Sequence, residues 1–158
     1  MVWLRRLEPA DLNQVTAVYR DAVISQAQGL YSEVQITAWA NHSSTDEGVR
    51  RSICRGHGLV SCSSDDFQRI EAFALLEPVD RLALLYCRGR ACRQGRATAL
   101  VTALEDHARG EGCRQLRTEA SQVSRPLLER LGWQIEAEEE VIFAGEAFRR
   151  WRMIRALI

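Results

Sequence analysis

A short loop rich in glycine and arginine is the segment of this sequence whose residue types best suit the binding of a charged ligand. It runs from Arg88 to Ala97, between an apolar segment that ends at Cys87 and a segment with helical spacing. It contains four arginines and no acid, and Gly95 lets the main chain approach a ligand closely. Because a helix N-terminus offers unpaired N–H groups and partial positive charge, the pattern predicts a site for a diphosphate. An ordinary strand–helix connection with solvated arginines remains the alternative.

The elements that position this loop follow from the hydrophobic pattern, which is typical of a mixed α/β protein. The first 55 residues predict a short strand and then a block of helices, over residues 2–7, 9–27, 32–39 and 46–54. The period then changes to that of three strands joined by polar turns, over residues 59–63, 69–76 and 82–87. The last of these strands is almost continuously apolar, so we expect it to be central and buried on both faces.

The second half of the chain predicts one long helix after the loop and then alternating elements. The long helix begins at Ala97 and ends before Gly110, with apolar residues along one face. A strand, a short helix and a final hairpin follow, over residues 116–119, 124–131, 133–143 and 147–154. This order is neither a doubly wound dinucleotide-binding fold nor a barrel.

Composition excludes several classes of function. The chain has 158 residues, which suits one domain, and its 21 basic residues balance 21 acidic ones. We therefore expect no nucleic-acid or membrane partner. There is no lysine, which excludes Schiff-base and P-loop chemistry. Five cysteines without a C-x-x-C pair, and three histidines without ligand spacing, predict neither disulfides nor a metal. No apolar leader or membrane span is visible, so the expected location is cytoplasmic.

Taken together, these features resemble the GNAT superfamily of acyl-CoA-dependent N-acyltransferases, in particular a branch of small bacterial members. The resemblance rests on the loop Cys92-Arg93-Gln94-Gly95-Arg96-Ala97, on residues 31–40 and 116–121, and on Leu131-Gly132-Trp133. It covers nearly the whole chain and implies one domain over residues 1–158. The implied fold is an α/β (α+β) fold with a mixed, mostly antiparallel sheet of six to seven strands. Helices would cover both faces, and two central strands would splay apart.

The resemblance also implies an activity, the transfer of an acetyl group from acetyl-CoA to a primary amine of a small acceptor by direct attack. The pantetheine arm would pair with the main chain of Leu85, Tyr86 and Cys87 and pass near Ser121. The diphosphate would lie on the loop and the first turn of the next helix, at Cys92, Arg93, Gln94, Gly95, Arg96, Ala97 and Thr98.

Candidate catalytic residues are Glu119, Ser121 and Glu71. Glu119 could relay a proton from the amine, but a salt bridge near Arg117 is the alternative. Ser121 could contact the pantetheine or simply cap a helix. Glu71 could act as a base or lie on a solvent-facing strand position.

Candidate acceptor-binding residues are Tyr31, Trp39 and Tyr86, and a purely structural place in the core is the alternative for Trp39 and Tyr86.

The sequence departs from the family pattern at three positions, which keeps other functions open. Cys92 replaces the usual Gln or Arg of the loop, Leu128 replaces the usual tyrosine, and Ala83 replaces a common carboxylate. One alternative is therefore a module that binds or senses acyl-CoA without turnover. Another is homodimerisation through the last hairpin, whose aromatic residues are Phe143, Phe148 and Trp151.

Overall fold

The computed structural model describes residues 2–158, which form a seven-stranded sheet with helices on both faces. The elements in chain order are β1 (Trp3–Arg6), α1 (Leu12–Gln26), α2 (Glu33–Thr45), α3 (Glu47–Arg55), β2 (His57–Ser63), β3 (Asp66–Leu76), β4 (Arg81–Cys87), α4 (Arg96–Gly110), β5 (Gln115–Ala120), α5 (Arg125–Arg130), β6 (Gln134–Phe143) and β7 (Glu146–Ala156). Two short 3-10 turns, Pro9–Asp11 and Gly89–Ala91, precede α1 and begin the glycine–arginine loop.

The strands lie in the order β1-β2-β3-β4-β5-β7-β6. All neighbouring pairs are antiparallel except β4 and β5, which are parallel. The predicted mixed, mostly antiparallel sheet is thus confirmed, and the long helix after the loop begins one residue before the predicted position.

Two hydrophobic cores lie on opposite faces of the sheet. Helices α1, α2 and α3 cover one face, where Val15, Trp39 and Ile53 pack against Phe73. On the other face α4 and α5 pack against the sheet, with Leu104 among the buried side chains. Along β3 successive side chains enter the two cores alternately, as expected for a strand covered on both faces.

The prediction that the strand over 82–87 is buried on both faces is wrong. It is central, as expected, but within β4 only Leu82 is fully buried. Its apolar residues line a cleft instead, because the neighbouring strand β5 pairs with β4 over only two residues and then diverges from it. The fully buried strand is β3, from Ile70 to Leu76.

Helices α2 and α3 share a residue at their junction. Ser32 caps α2, because its side-chain oxygen accepts from the N–H of Gln35 at 3.1 Å. The side-chain oxygen of Gln35 in turn accepts from the N–H of Ser32. Asp46 follows the last residue of α2, and its carboxylate accepts from the N–H of Val49 at 3.0 Å to cap α3. The two helices therefore lie in a fixed relation on one side of the cleft.

No helix within residues 2–158 is both long and apolar enough to span a membrane.

Candidate active site

The cleft begins where β4 and β5 separate. These parallel strands pair only at Arg81 with Arg117 and at Leu82 with Thr118. On the other edge of β4, Leu75 lies opposite Leu84 but Leu76 lies opposite Leu82, so Ala83 is an extra residue in the ladder. Such a bulge bends its strand. The separated strands open into a cavity of about 500 Å³ that also touches α1, α2 and the β6–β7 hairpin.

The main chain of β4 has a free edge along this cleft. Arg88 N–H donates to Glu71 O at 2.8 Å, so in this antiparallel ladder 88–71 and 86–73 are the hydrogen-bonded pairs. The N–H and C=O groups of Leu85 and Cys87 therefore point away from β3 and toward the cleft. Gln26 Nε2 donates to Cys87 O at 2.6 Å, and Leu85 keeps both groups available for an added strand.

At the end of β4 the loop presents a run of main-chain donors. Among the described residues, no hydrogen-bond acceptor faces the N–H groups of residues 93–98. Arg93 and Gly95 both have positive φ, 62° and 80°, and α4 begins directly after Gly95. Successive amides in such a turn form an anion-binding concavity. The amide of Cys92, in contrast, donates to Gly89 O at 3.3 Å.

Three of the four loop arginines hold the loop against the sheet. Arg88 Nε donates to Ile70 O at 3.1 Å, and Arg96 Nη1 donates to Ser61 Oγ at 2.8 Å. Arg90 pairs with Glu71, with Nη2–Oε1 at 2.9 Å. Only Arg90 of these three is paired with an acid, so the others leave positive charge at the loop.

Glu71 lies beneath the loop, outside the cavity, and is only 4% exposed. Its carboxylate accepts from Arg90 and from Arg69 Nε at 3.1 Å. Burial alone would raise the pKa of Glu71, but the hydrogen bonds and charges of the two arginines outweigh burial and lower it. The alternative of a solvent-facing strand position is therefore wrong, and a carboxylate so placed supports the loop better than it accepts a proton.

The two cysteines at the base of the loop face inward. Cys92 Sγ lies 3.3 Å from Arg88 O, and Cys87 Sγ lies 3.5 Å from the same carbonyl. Burial, together with the neighbouring Cys92, raises the pKa of Cys87 to about 12. The contribution of Cys92 to the loop is therefore structural in this geometry.

The three predicted acceptor-binding residues lie together on the α1–α3 side of the cleft. Trp39 Nε1 donates to Tyr86 OH at 3.1 Å, and burial raises the pKa of Tyr86 to about 12. The rings of Tyr31 and Trp39 meet edge to face with centroids 5.3 Å apart, and Phe148 packs against both. The hydroxyl of Tyr31 accepts from Gln122 N–H at 2.9 Å, beside the start of α5.

Glu119 and Ser121 both line the cavity but are engaged with neighbours. Arg81 donates to the Glu119 carboxylate through Nη2 at 2.8 Å and through Nε at 3.1 Å. The salt bridge expected for Glu119 is thus present, although its partner is Arg81 rather than Arg117. Ser121 Oγ accepts from the N–H groups of Val123 and Ser124, each at 3.1 Å, as a helix cap does.

The positions that depart from the family pattern are apolar here. Leu128 is buried on α5 and contributes to the cavity wall, and Ala83 is the bulge residue of β4. The phenol that the structure brings to this end of α5 is that of Tyr31, which comes from the α1–α2 connection.

Two polar residues of the cavity wall, His42 and Asp46, are absent from the candidates that the sequence suggested. His42 Nε2 lies 3.8 Å from Asp46 Oδ2, and the imidazole packs on Phe143 with centroids 4.4 Å apart. The i, i+4 spacing of a histidine and an aspartate at the end of a helix was the available signal. No group of three metal-ligating side chains is found in the described part of the chain.

Comparison with known proteins agrees with this geometry. A family model described as an acetyltransferase (GNAT) domain matches residues 28–154. The chain belongs to the GNAT acetyltransferase family. No significant match to a curated protein sequence was found.

Solved structures show the same fold for this GNAT protein at low sequence identity. A GCN5-related N-acetyltransferase from Rhodopseudomonas palustris is 23% identical, with a TM-score of 0.90 over 99% of this chain and 96% of its own. The PaiA N-acetyltransferase of Thermoplasma acidophilum, solved with coenzyme A, is 16% identical, with a TM-score of 0.75 over 99% of both chains. A phosphinothricin acetyltransferase of Sinorhizobium meliloti, solved with acetyl-CoA, is 19% identical, with a TM-score of 0.66 over 98% of this chain and 88% of its own.

Proposed function

We propose that this GNAT protein transfers the acetyl group of acetyl-CoA to a primary amine of a small acceptor by direct attack on the thioester. The observation that carries the proposal is the run of free main-chain amides at residues 93–98, at the end of a strand with a free edge. The amides suit a diphosphate, and the edge of β4 at Leu85 and Cys87 suits the amide groups of a pantetheine arm.

Charge at the loop supports the same ligand. Arg93 is exposed and has no hydrogen-bond or ion-pair partner among residues 2–158. Arg88 and Arg96 donate only to neutral groups, of the sheet and, for Arg96, also of Gln94 in the loop. The loop therefore offers uncompensated positive charge next to its amides. The complexes of two structural neighbours with coenzyme A or acetyl-CoA agree with this assignment.

The acceptor side of the cavity supports a small molecule with an apolar body. Tyr31, Trp39, Phe143 and Phe148 line it, and its volume of about 500 Å³ lies within the usual range of small-molecule sites. The aromatic faces can also hold a cationic amine before it reacts.

A test of coenzyme binding is a thermal melt of the protein with acetyl-CoA and, separately, with S-acetylpantetheine, which lacks the diphosphate. Binding at 100 times Kd would stabilise the fold by about 2.7 kcal/mol and raise Tm by several degrees. We expect the rise with acetyl-CoA and a far smaller one with S-acetylpantetheine. Equal effects of the two ligands, or none at millimolar acetyl-CoA, would contradict the proposal.

A binding or sensing module without turnover is the second candidate. It is favoured by the engagement of both Glu119 oxygens with Arg81 and by the apolar Leu128. Release of free thiol from acetyl-CoA, measured with a panel of primary amines, separates the two candidates. Release above the amine-free rate establishes the transferase, whereas binding without release with any amine establishes the sensor.

A single domain over residues 1–158, a cytoplasmic location, a homodimer and the lack of nucleic-acid and membrane partners stay predictions. For the homodimer, Phe148 and Trp151 are buried within the described chain, so they do not form an outer surface. The exposed apolar residues of the hairpin are Ile135 and Ile142, on the edge strand β6.

A further inference from the structure

We propose that His42 is the general base that takes a proton from the acceptor ammonium, and that Asp46 is its positioning residue. The inference rests on the proposed transferase function. It starts from a chemical requirement, because an ammonium has no lone pair and cannot attack a thioester until it loses a proton.

His42 lies on the wall of the acceptor side. Trp39, His42 and Asp46 follow one another at intervals of three and four residues, so they share one face of α2 and its end, and all three line the cavity. Ala83 and Glu119 line the same cavity, at the point where β4 and β5 separate and where the thioester would lie against the free edge of β4. His42 would reach the amine directly or through one water.

The other candidate bases are already engaged. Both oxygens of Glu119 accept from Arg81, and Glu71 is buried outside the cavity under Arg90 and Arg69. His42 makes no side-chain hydrogen bond with the other described residues, although Asp46 Oδ2 faces its Nε2 at 3.8 Å. With Nε2–H directed at that carboxylate, Nδ1 keeps the free lone pair that a base needs.

A main-chain hydrogen bond holds the carboxylate of Asp46 in place for this role. Its Oδ1 accepts from Val49 N–H at the start of α3, which leaves Oδ2 toward His42. A negative charge there stabilises the imidazolium that forms when His42 takes the proton. The charged groups that share the cavity wall with this pair are Arg81, Glu119, Arg149 and Arg150, and the phenols are Tyr19, Tyr31 and Tyr86.

The nitrogen of the acceptor loses two protons in the reaction. His42 takes the first from the ammonium and passes it to solvent, and the neutral nitrogen then forms its bond to the carbonyl carbon. The carbon–sulfur bond breaks, with its electron pair going to sulfur. The second proton lost by the nitrogen ends on that sulfur, so the products are the amide, free coenzyme A and one solvent proton.

The decisive test is the pH dependence of kcat/KM for His42→Gln, with the amine that the wild type accepts best from a panel of primary amines. At pH 7 we expect a loss of about 100-fold, within the usual range for a general base. The loss should shrink as the pH rises toward the pKa of the acceptor amine, where the amine needs no base. The acidic limb of the wild-type profile should be absent. His57→Gln, the same change outside the cavity, is the matched control and should match the wild type.

Asp46→Asn tests the positioning role, because asparagine caps a helix as well as aspartate does but carries no charge. We expect a loss of kcat/KM at pH 7 that is smaller than that of His42→Gln and that shrinks in the same way as the pH rises, with the thermal shift with acetyl-CoA unchanged, because the imidazole is then no longer held by a charged partner. This variant also decides the matter if His42→Gln does not fold.

Three results would overturn the inference: an unchanged acidic limb in His42→Gln, a loss in either variant that is equal at every pH, or loss of the thermal shift of His42→Gln with acetyl-CoA. Failure of the proposed function looks different, because the wild type itself would then release no thiol with any amine. That result would overturn both proposals at once.

Discussion

The two ends of the cleft are built from different parts of the polypeptide. The end to which we assign the coenzyme, here the coenzyme end, consists mainly of main-chain groups, namely the edge of β4 and the amides of residues 93–98. The end to which we assign the acceptor, here the acceptor end, consists of side chains from the α1–α3 block and the β6–β7 hairpin, which are about a hundred residues apart in sequence. A contiguous segment forms the first, and only the folded chain brings the second together.

This difference predicts how each end responds to substitution. A site made of main-chain amides depends on backbone conformation, so side-chain changes act on it through strain or through the groups that hold the loop. A site made of side chains responds to each residue directly. Substitutions at the coenzyme end should change coenzyme affinity, and those at the acceptor end should change acceptor KM.

The largest effect is expected for Glu71→Gln, which removes the buried charge beneath the loop. Removing one partner of a buried ion pair costs 3–5 kcal/mol, and we expect about 2 kcal/mol here because both arginines are half exposed. Since the native pKa of Glu71 is lowered, its stabilisation is present above the unfolded pKa and is lost as pH falls through the native pKa. Urea unfolding at pH 7 and at acidic pH measures both expectations.

Glu138→Gln is the control for that experiment, because Glu138 pairs with Arg149 at the surface. We expect it to change the free energy of unfolding by less than about 1 kcal/mol. Equal effects of the two substitutions would show that Glu71 does not hold the loop as described.

The second-largest effect is expected for Gly95→Val. A side chain at a φ of 80° is strained by roughly 1–2 kcal/mol, and the turn can relieve this strain only by moving its amides. Gly112→Val is matched, because Gly112 has a φ of 88° and open space around it but lies at the far end of α4. Both variants should lose similar stability, while only Gly95→Val should weaken acetyl-CoA binding, by about tenfold, in calorimetric titration.

At the acceptor end, Trp39→Phe removes the indole donor to Tyr86 OH. Loss of this hydrogen bond costs about 1 kcal/mol of stability and leaves Tyr86 without the contact that orients its ring in the cavity wall. Acceptor KM should therefore rise while the Kd of acetyl-CoA stays the same. Trp3→Phe, at an exposed position on β1, is the control and should change neither constant. A rise in the Kd of acetyl-CoA for Trp39→Phe would contradict the conclusion that the two ends respond separately to substitution.

The smallest effect is expected away from both ends, where the rings of His57 and His107 stack with centroids 3.4 Å apart. Burial, followed by the charge of His107, lowers the pKa of His57 to about 4. The corresponding stabilisation is present above the unfolded pKa near 6.5 and is lost as pH falls from there to about 4. We expect the wild type to lose more stability over this range than His57→Gln does, by less than about 1 kcal/mol, with acetyl-CoA affinity unchanged.

The loop of the proposed coenzyme end could be located from the sequence because its signal is local. A strand, Gly95 and a helix lie within about twenty residues, and the order of elements around them fixes the family resemblance. The burial of β4 could not be predicted in the same way. An apolar strand that lines a cleft has the same composition as one buried in a core, and only the short pairing with β5 distinguishes them.

The residues of the proposed acceptor end could be located from the sequence only in part, and their role stays a prediction. Tyr31, Trp39 and Tyr86 could be named as aromatic candidates, but their contact depends on how α2 lies across β4. Glu71 could not be placed, because its exposure depends on the loop folding back over β3. His42 and Asp46 carried a local signal, yet which surface of α2 faces the cleft depends on the packing of α2.

The junction of α2 and α3 at Asp46 restricts how relatives of this protein can acquire new acceptors. One residue inserted in the last turn of α2, between His42 and Asp46, would rotate Asp46 by about 100° about the axis of α2 and so separate the cap of α3 from His42. The tip of the β6–β7 hairpin has no such restriction, since a Cβ atom added to Gly145 would meet nothing within 4 Å. Insertions and deletions among proteins of this type should therefore occur mainly at the hairpin tip. The helix junction should keep its length and vary only by substitution of its residues.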